Sequence, residues 1–509
     1  MKKNLLLLLF LSIAFYTNAQ LPDDALRNEW FIPNGSARNI AIGGAGGSLG
    51  GDISSNHINP AGIGLYKTKE IVLSPGFALN NNKFNYRGDN TAANKSNFNL
   101  GTSGIVIGFG SSTDDKFKSA AFSFSVNQMS NYNNHIYYKG LNNQSSFSEQ
   151  YLEELTRDGA SPQAAEQNYI FGSSLAYRTY LIDSFNDNGV FKGYKSLVPV
   201  GTGIIQEKDE TITGSYTELS LALAGNIEDK LYIGASLNFP IVNYKSNLTY
   251  KEKDATSDPD NNFSDFTFTQ NFISRGIGIN AKLGLIYKPQ ESIRLGIALH
   301  TPSFIGFKDE IRAALTTNTE GYAGTLSESS NNLNSGNPGE RDYNLQTAWR
   351  ILGSASYVFK EVADTKKQKG FITADIEYVN YASARFTQQN VPEGYANDYY
   401  NSLNNVVKDY YKGNINIRLG GELKFNVLAV RLGAAYYGSP YSDAQLKANK
   451  LMFAGGFGYR NHGVFIDVTY SYTANKDVNF PYRLNDVPNT FAIWKNNRGM
   501  ALLTVGFKI

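Results

Sequence analysis

The sequence predicts an all-β protein: a transmembrane antiparallel β-barrel of about fourteen strands with an N-terminal hatch in its lumen. Three observations carry that reading. Segments of the chain alternate apolar and polar residues with period two. The gaps between segments alternate short and long. No stretch after the N-terminus reaches the ~18 apolar residues of a membrane-spanning helix, while Gly (48), Tyr (33) and Phe (31) are plentiful.

Taken in order, residues 1–19, "MKKNLLLLLFLSIAFYTNA", read as a signal peptide. Lys2 and Lys3 start it, Leu5 to Tyr16 form an apolar run too short to span a bilayer, and Thr17 and Ala19 suit cleavage before Gln20. Of 47 basic residues, loss of two lysines leaves 45 against 45 acidic ones, so nothing in the charge balance calls for nucleic acid. There is no cysteine. Disulfides and thiolate metal sites are excluded, and an exported fold must hold by packing and backbone pairing.

Fourteen strand segments follow, near 69–87, 97–111, 116–131, 211–226, 230–250, 263–287, 291–312, 342–359, 370–387, 412–425, 427–438, 449–460, 463–473 and 498–509. In the thirteenth, Val464, Ile466, Val468, Tyr470 and Tyr472 share one face, while Phe465, Asp467, Thr469 and Ser471 share the other. In the tenth, Ile415, Ile417, Leu419, Leu423 and Phe425 oppose Asn416, Arg418, Glu422 and Lys424. The short gaps are "STDD", "IEDK", "KPQES", "FN" and "NHG", with the longer "KEVADTKKQK". The long ones are 132–210, 251–262, 313–341, 388–411 and 474–497, and "GDNTAANKS" is intermediate. Short turns on one side and long loops on the other mark an outer-membrane barrel. In hydrocarbon only a helix or a closed sheet satisfies its own backbone. The domains are then 1–19 (signal peptide), 20–66 (hatch) and 67–509 (barrel, with an extracellular insertion at 132–210). Two helices are expected in outer loops, "FSEQYLEELTRD" and "NDYYNSLNNVVKDYY".

The hatch segment contains "ARNIAIGGAGGSLGGDISSNHINPAGIG", residues 37–64. It fails as a dinucleotide fingerprint, because Leu49 stands where the last glycine is required and no strand precedes it. Ile40, Ile42, Leu49, Ile53, Ile58, Ile63 and Leu65 call for burial. Glycines suit close backbone approach in a crowded tube, and fourteen strands enclose more space than wall side chains fill.

The stretch Gly35, Ser36, Ala37, Arg38, then Gly43 and Gly44, then Asn59, Pro60 and Ala61 resembles the hatch of the FadL-type (TodX-like) outer-membrane transporters of long-chain fatty acids. "IRLGIALHTPS", "ADIEYVNYASARF" and "IRLGGELKFNVLAVRLGAAYYGSPY" resemble its wall; the 132–210 insertion departs from it. The resemblance implies passive uptake of hydrophobic or amphipathic molecules, with lateral release through a gap at a kinked third strand. Asn127 and Gln128 mark the candidate kink; a rim bulge is the plain alternative. Pro240 and Pro302 also interrupt ladders.

The polar faces carry Arg275, Arg294, Arg350, Asp375, Glu377, Arg418, Glu422, Arg431 and Asp467. They form either a bracing lattice of paired charges or a grip on a substrate carboxylate. The candidate substrate residues are Arg294, His300, Arg275, Arg350 and Arg418. No serine sits in a recognisable catalytic cluster and no zinc spacing occurs, so no catalytic residue, metal or cofactor is expected. The expected partners are outer-membrane lipid and a hydrophobic small molecule, with no nucleic acid and a monomeric state. The expected location is the Gram-negative outer membrane. The competing functions are a docking or shuttle barrel for exported proteins, a general porin, and a receptor for haem or another hydrophobic ligand.

Overall fold

The structure is a computed structural model that describes residues 22–110, 116–256, 258–359, 369–389, 398–444, 446 and 448–509. The signal-peptide reading of 1–19 lies outside these residues, as do the turn "STDD" and most of "KEVADTKKQK".

Fourteen antiparallel wall strands follow one another. They are β1 (Lys69–Leu73, continued by Pro75–Tyr86), β2 (Asp89–Leu100 and Ser103–Gly110), β3 (Phe117–Asn131 and Asn134–Asn142), β4 (Ile204–Ile227), β5 (Leu231–Asp254), β6 (Asp265–Gln290), β7 (Ile293–His300 and Phe304–Asn318), β8 (Gly339–Gln346 and Arg350–Phe359), β9 (Gly370–Asn380 and Arg385–Gln388), β10 (Gly413–Phe425), β11 (Leu428–Tyr437), β12 (Lys450–Asn461), β13 (Val464–Asn479) and β14 (Ala492–Lys508). β14 pairs back onto β1, Phe507 opposite Ile71 and Leu502 opposite Gly76, so the cylinder is closed.

Burial is inverted relative to a water-soluble sheet. On β13 the apolar Val468 and Tyr470 are 51% and 56% exposed, while Asp467, Thr469 and Ser471 are buried. Apolar-out and polar-in alternation is what a lipid solvent selects. The apolar band has a visible upper limit: outward residues of β1 change from Phe77 and Leu79 to Asn81 and Lys83, and those of β2 from Phe98 to Ser96 and Asn94.

Above that band the alternation reverses, because the inward face now packs a protein core. Phe84, Tyr86 and Tyr138 are buried inward, and Phe147, Tyr250, Phe266 and Phe268 form an aromatic core in the outer vestibule. The strands therefore run further than the sequence suggests. "GDNTAANKS" is strand around a two-residue turn at Arg87 and Gly88, both with φ in the left-handed region. β3 continues to Asn142 and β4 begins at Ile204, so the long insertion occupies 143–203.

Residues 22–66 thread the barrel from the mouth that carries the long loops to the end that carries the short turns. Helix α1 (Pro22–Arg27) lies at the mouth, where Asp23 binds Tyr411 and Arg483 of outer loops. Helix α2 (Ala37–Ala41), helix α3 (Ser55–Ile58) and a 3-10 turn (Pro60–Leu65) form the hatch below. Helices α4 (Glu149–Arg157), α5 (Pro162–Gln167) and α6 (Ser173–Arg178) build the cap, α7 (Ser330–Leu333) follows β7, and α8 (Asp398–Tyr410) precedes β10.

Candidate functional site

The hatch is fitted to the wall at bare backbone. A Cβ added at Gly234 would lie 2.5 Å from the Pro60 carbonyl, and one at Gly296 would lie 2.5 Å from the Gly47 carbonyl. At Gly284 it would run into Asn59, and at Gly420 and Gly433 into Ile42 and Gly43. These glycines occupy inward positions, so the hatch chain lies directly on the ladder. Gly43 and Gly44 have φ of +70° and +77°, a bend that side chains resist.

Polar contacts lock the fit. Ser36 caps α2 by accepting from the Asn39 N–H, and its hydroxyl donates to Asp52. The Ala37 N–H donates to Thr504 (2.7 Å), and Thr469 donates to the Ala37 carbonyl (2.6 Å). Arg38 reaches the Gly51 carbonyl and faces Glu422 at 3.5 Å. Asn59 donates to the Gly47 carbonyl at 2.6 Å and caps the turn that begins at Pro60 by accepting from the Ala61 N–H.

Arg431 is fully enclosed between Glu422 (2.5 Å) and Asp467 (2.6 Å). With Arg38 these groups join hatch, β10, β11 and β13. Isolated charges in that position would be costly, whereas paired ones are tolerated.

A cavity lies outward of the hatch, between residues 28–34 and the inner faces of β3 to β11. Its space is threaded between side chains. Phe31, Pro33, Ile58, Met129, Leu352 and Tyr437 supply apolar lining. Two ionic groups face it. In one, His57 Nδ1 is 2.9 Å from Glu218, which also takes the Lys282 ammonium. In the other, Glu377 binds Arg418 and lies 3.9 Å from Arg350.

The sequence-derived substrate residues divide as follows. His300, Arg350 and Arg418 line the cavity. His300 Nε2 is 2.8 Å from the Ile58 carbonyl, and Arg350 donates to the Glu29 carbonyl at 2.6 Å. Arg294 is buried and donates to the Leu49 carbonyl. Each of the four thus holds hatch backbone or a carboxylate. Arg275 is a correction: it shares the outward face of β6 with Ile277 and Ile279 and pairs with Glu310 at 2.8 Å, above the apolar band. Parity along β6 decides this, because Ser274 and Gly276 are the inward residues.

Ser125, His57 and Glu218 stand in line: Ser125 Oγ is 3.1 Å from His57 Nε2, and His57 Nδ1 is 2.9 Å from Glu218. That spacing suits nucleophile, base and orienting acid. The surroundings make it a latch. Ser125 is completely buried and accepts from the Asn56 amide, and the Lys282 ammonium neutralises Glu218. Burial lowers the His57 pKa.

Asn127 and Gln128 lie where the wall is interrupted. The inner part of β2 pairs with β3 (Ser103 opposite Val126), but Asp89–Leu100 pairs only with β1, and Asn134–Asn142 only with β4. The β3–β4 register shifts between Gln128 and Ser130. Across this seam, side chains replace the ladder. Asn131 donates to the Phe98 carbonyl (2.8 Å), Asn80 to the Asn133 carbonyl (2.7 Å) and Asn82 to the His135 carbonyl (2.8 Å). The Leu100 N–H donates to Gln128 (2.9 Å). The hatch itself fills the lower end: the Gly35 carbonyl accepts from the Thr102 N–H, Asn34 donates to the Leu100 carbonyl, and Asn127 donates to the Asn34 carbonyl. The unpaired edge of β2 runs from Asp89 to Thr102, so the seam passes Phe98 at the upper limit of the apolar band and ends just below it.

The closed wall, its apolar girdle and the lumenal hatch define a membrane-spanning β-barrel with a plugged lumen. Neither a family model nor a curated protein matches the sequence. Solved structures do. A Pseudomonas aeruginosa FadL homologue superposes with a TM-score of 0.55 at 13% identity, covering 94% of this chain and 98% of that one. The P. putida toluene transporter TodX gives 0.50 at 13% identity, covering 94% and 99%. The fold is that of the FadL-type barrels.

Proposed function

We propose that the protein is an outer-membrane channel for passive uptake of hydrophobic or amphipathic small molecules, released sideways through the seam between β2 and β3. The observation that carries this reading is the hatch backbone at Asn34 and Gly35, which closes the lower end of the seam. Withdrawal of that segment would open lumen and wall together. An apolar molecule gains roughly 0.8 kcal/mol per CH₂ transferred from water to lipid, so lateral exit at the edge of the apolar band favours release. A general porin is the weaker reading, because hatch, N-terminal segment and cap all occupy the bore.

The test is uptake of a fluorescent alkyl probe into vesicles carrying the protein. Asn97→Cys and Asn133→Cys place two thiols across the seam in a chain that has no others. A bifunctional thiol reagent should stop uptake in that variant and leave the native protein unaffected. Undiminished uptake after complete cross-linking would refute lateral release.

A further inference from the structure

Above the apolar band, outward charges on β3 to β8 meet charges of opposite sign. His135 lies 3.0 Å from Asp209, Arg275 2.8 Å from Glu310, and Lys308 2.9 Å from Glu340. The wall where β13, β14 and β1 meet is built differently. Lys495 on β14 stands directly opposite Lys83 on β1 and Lys476 on β13. All three lysines are exposed on the outward face. Among the described residues none of them has an ion pair or a hydrogen bond, and no outward position of these three strands holds a carboxylate. Neighbouring strands lie ~4.8 Å apart, so the row is roughly 10 Å long. Like charges directly opposite one another destabilise a sheet, and this row sits on the ladder that closes the barrel.

The height of the row is informative. One outward step below it, Asn81 and Asn497 face each other across the same ladder. Two steps below are Leu79 on β1 and Tyr472 on β13, 52% and 41% exposed, on either side of Gly499. Tyrosine at the edge of the apolar band belongs to the membrane–water interface. The lysines therefore stand in the headgroup layer, with amides between them and the apolar surface. Long lysine stems can lean along that surface while the ammonium stays in the wet layer.

We propose that Lys83, Lys476 and Lys495 hold the headgroup of an outer-leaflet lipid that carries two phosphates, with its acyl chains on the Leu79 and Tyr472 side. Each ammonium donates charge-assisted hydrogen bonds to phosphate oxygens. Lys495 shares one phosphate with Lys83 and the other with Lys476, so a row of three cations fits a pair of anions. The phosphates cancel the repulsion along the row. Because the lipid binds the closed wall, it also stabilises that wall by mass action. The site faces lipid, lies outside the lumen, and does not depend on what the channel carries.

The test is native mass spectrometry of the purified protein in detergent with added lipid A, in its diphosphorylated and monophosphorylated forms. The two-phosphate form should bind about fivefold more tightly, the scale of one charge contact at a membrane surface. Lys83→Gln, Lys476→Gln and Lys495→Gln together should remove that difference. Lys245→Gln with Lys253→Gln, an outward exposed pair on β5, should leave it intact. Equal binding of the two lipids by the native protein, or a difference that survives in the triple variant, would overturn the proposal. Inorganic phosphate at the same concentration should not displace the lipid; displacement would make this a site for the free ion and overturn it too. Unfolding on heated gels gives an independent readout. Diphosphorylated lipid A should raise the unfolding temperature of the native barrel and leave that of the triple variant unchanged. Without lipid the variant should unfold no earlier than the native protein; earlier unfolding would show that the lysines brace the wall by themselves, and the proposal falls.

Discussion

The two sides of the barrel hold the hatch by different means. Against β10 to β13 the hatch rests backbone on backbone at Gly420 and Gly433 and is clamped by the Arg38, Glu422, Arg431 and Asp467 charges. At the seam between β2 and β3, outward of the Ser125–His57 latch, it is held by amide side chains and two backbone contacts at Asn34 and Gly35. Breaking a buried pair by removing one partner costs about 3–5 kcal/mol, whereas a single neutral hydrogen bond contributes about 1 kcal/mol. The difference teaches that one plug can be fixed unequally: under the proposed uptake the charged flank would be the hinge and the seam flank the door.

The strongest way to break that comparison is to remove the plug. Deletion of residues 35–62 should leave the wall closed and raise single-channel conductance in planar bilayers several-fold. Conductance equal to that of the intact chain would show that the segment does not block the bore. Next is the hinge itself. Gly433→Val drives a side chain into Ile42 and Gly43, so frequent channel openings are expected with the barrel still heat-resistant on gels.

Glu422→Gln acts on the same flank without a clash. It leaves Arg431 with one acid and Arg38 without its own, and docking of the hatch should weaken by about 3 kcal/mol, read as faster protease cleavage within residues 35–62. On the door, Asn131→Ala should cost about 1 kcal/mol and speed probe uptake while hatch cleavage stays as in the native protein. Equal effects of the two substitutions on cleavage would erase the distinction between flanks.

The smallest effect concerns Glu29, in the lumenal segment above the hatch. Burial pushes its carboxyl up to about 8, against the Ala348 N–H and Arg350 that favour the charge. The docked segment therefore keeps a proton that the undocked one loses near 4.5. Docking is at full strength below that lower value and weakens as pH rises through about 8. Opening frequency should climb across this window, and Glu29→Gln should make it flat.

The wall was legible because lipid enforces strict parity. Val464 to Tyr472 and Ile415 to Phe425 could hardly be read otherwise. Legibility ended at the upper limit of the apolar band. There Tyr86, Tyr138 and Phe266 turn inward onto protein, the alternation reverses, and strand looks like loop. Arg275 was misplaced for a related reason: at that height an outward position is wet and admits a charge. Asn127 and Gln128 stood out as breaks in a pattern, but their partners, Asn34 and Leu100, are distant in sequence. The wall glycines carry a signal of their own. Gly234, Gly284, Gly296, Gly420 and Gly433 each stand at an inward position where a side chain would be expected, and an empty place there signals something lying against the wall.

The threading of residues 22–66 down the bore bears on biogenesis. The ladder of β1 with β14 closes the tube around a stretch of its own polypeptide that reaches from Asp23 at one rim to Tyr66 at the other. Cargo fused ahead of Pro22 would have to be threaded through or stranded at the cell surface, so a reporter domain belongs after Ile509.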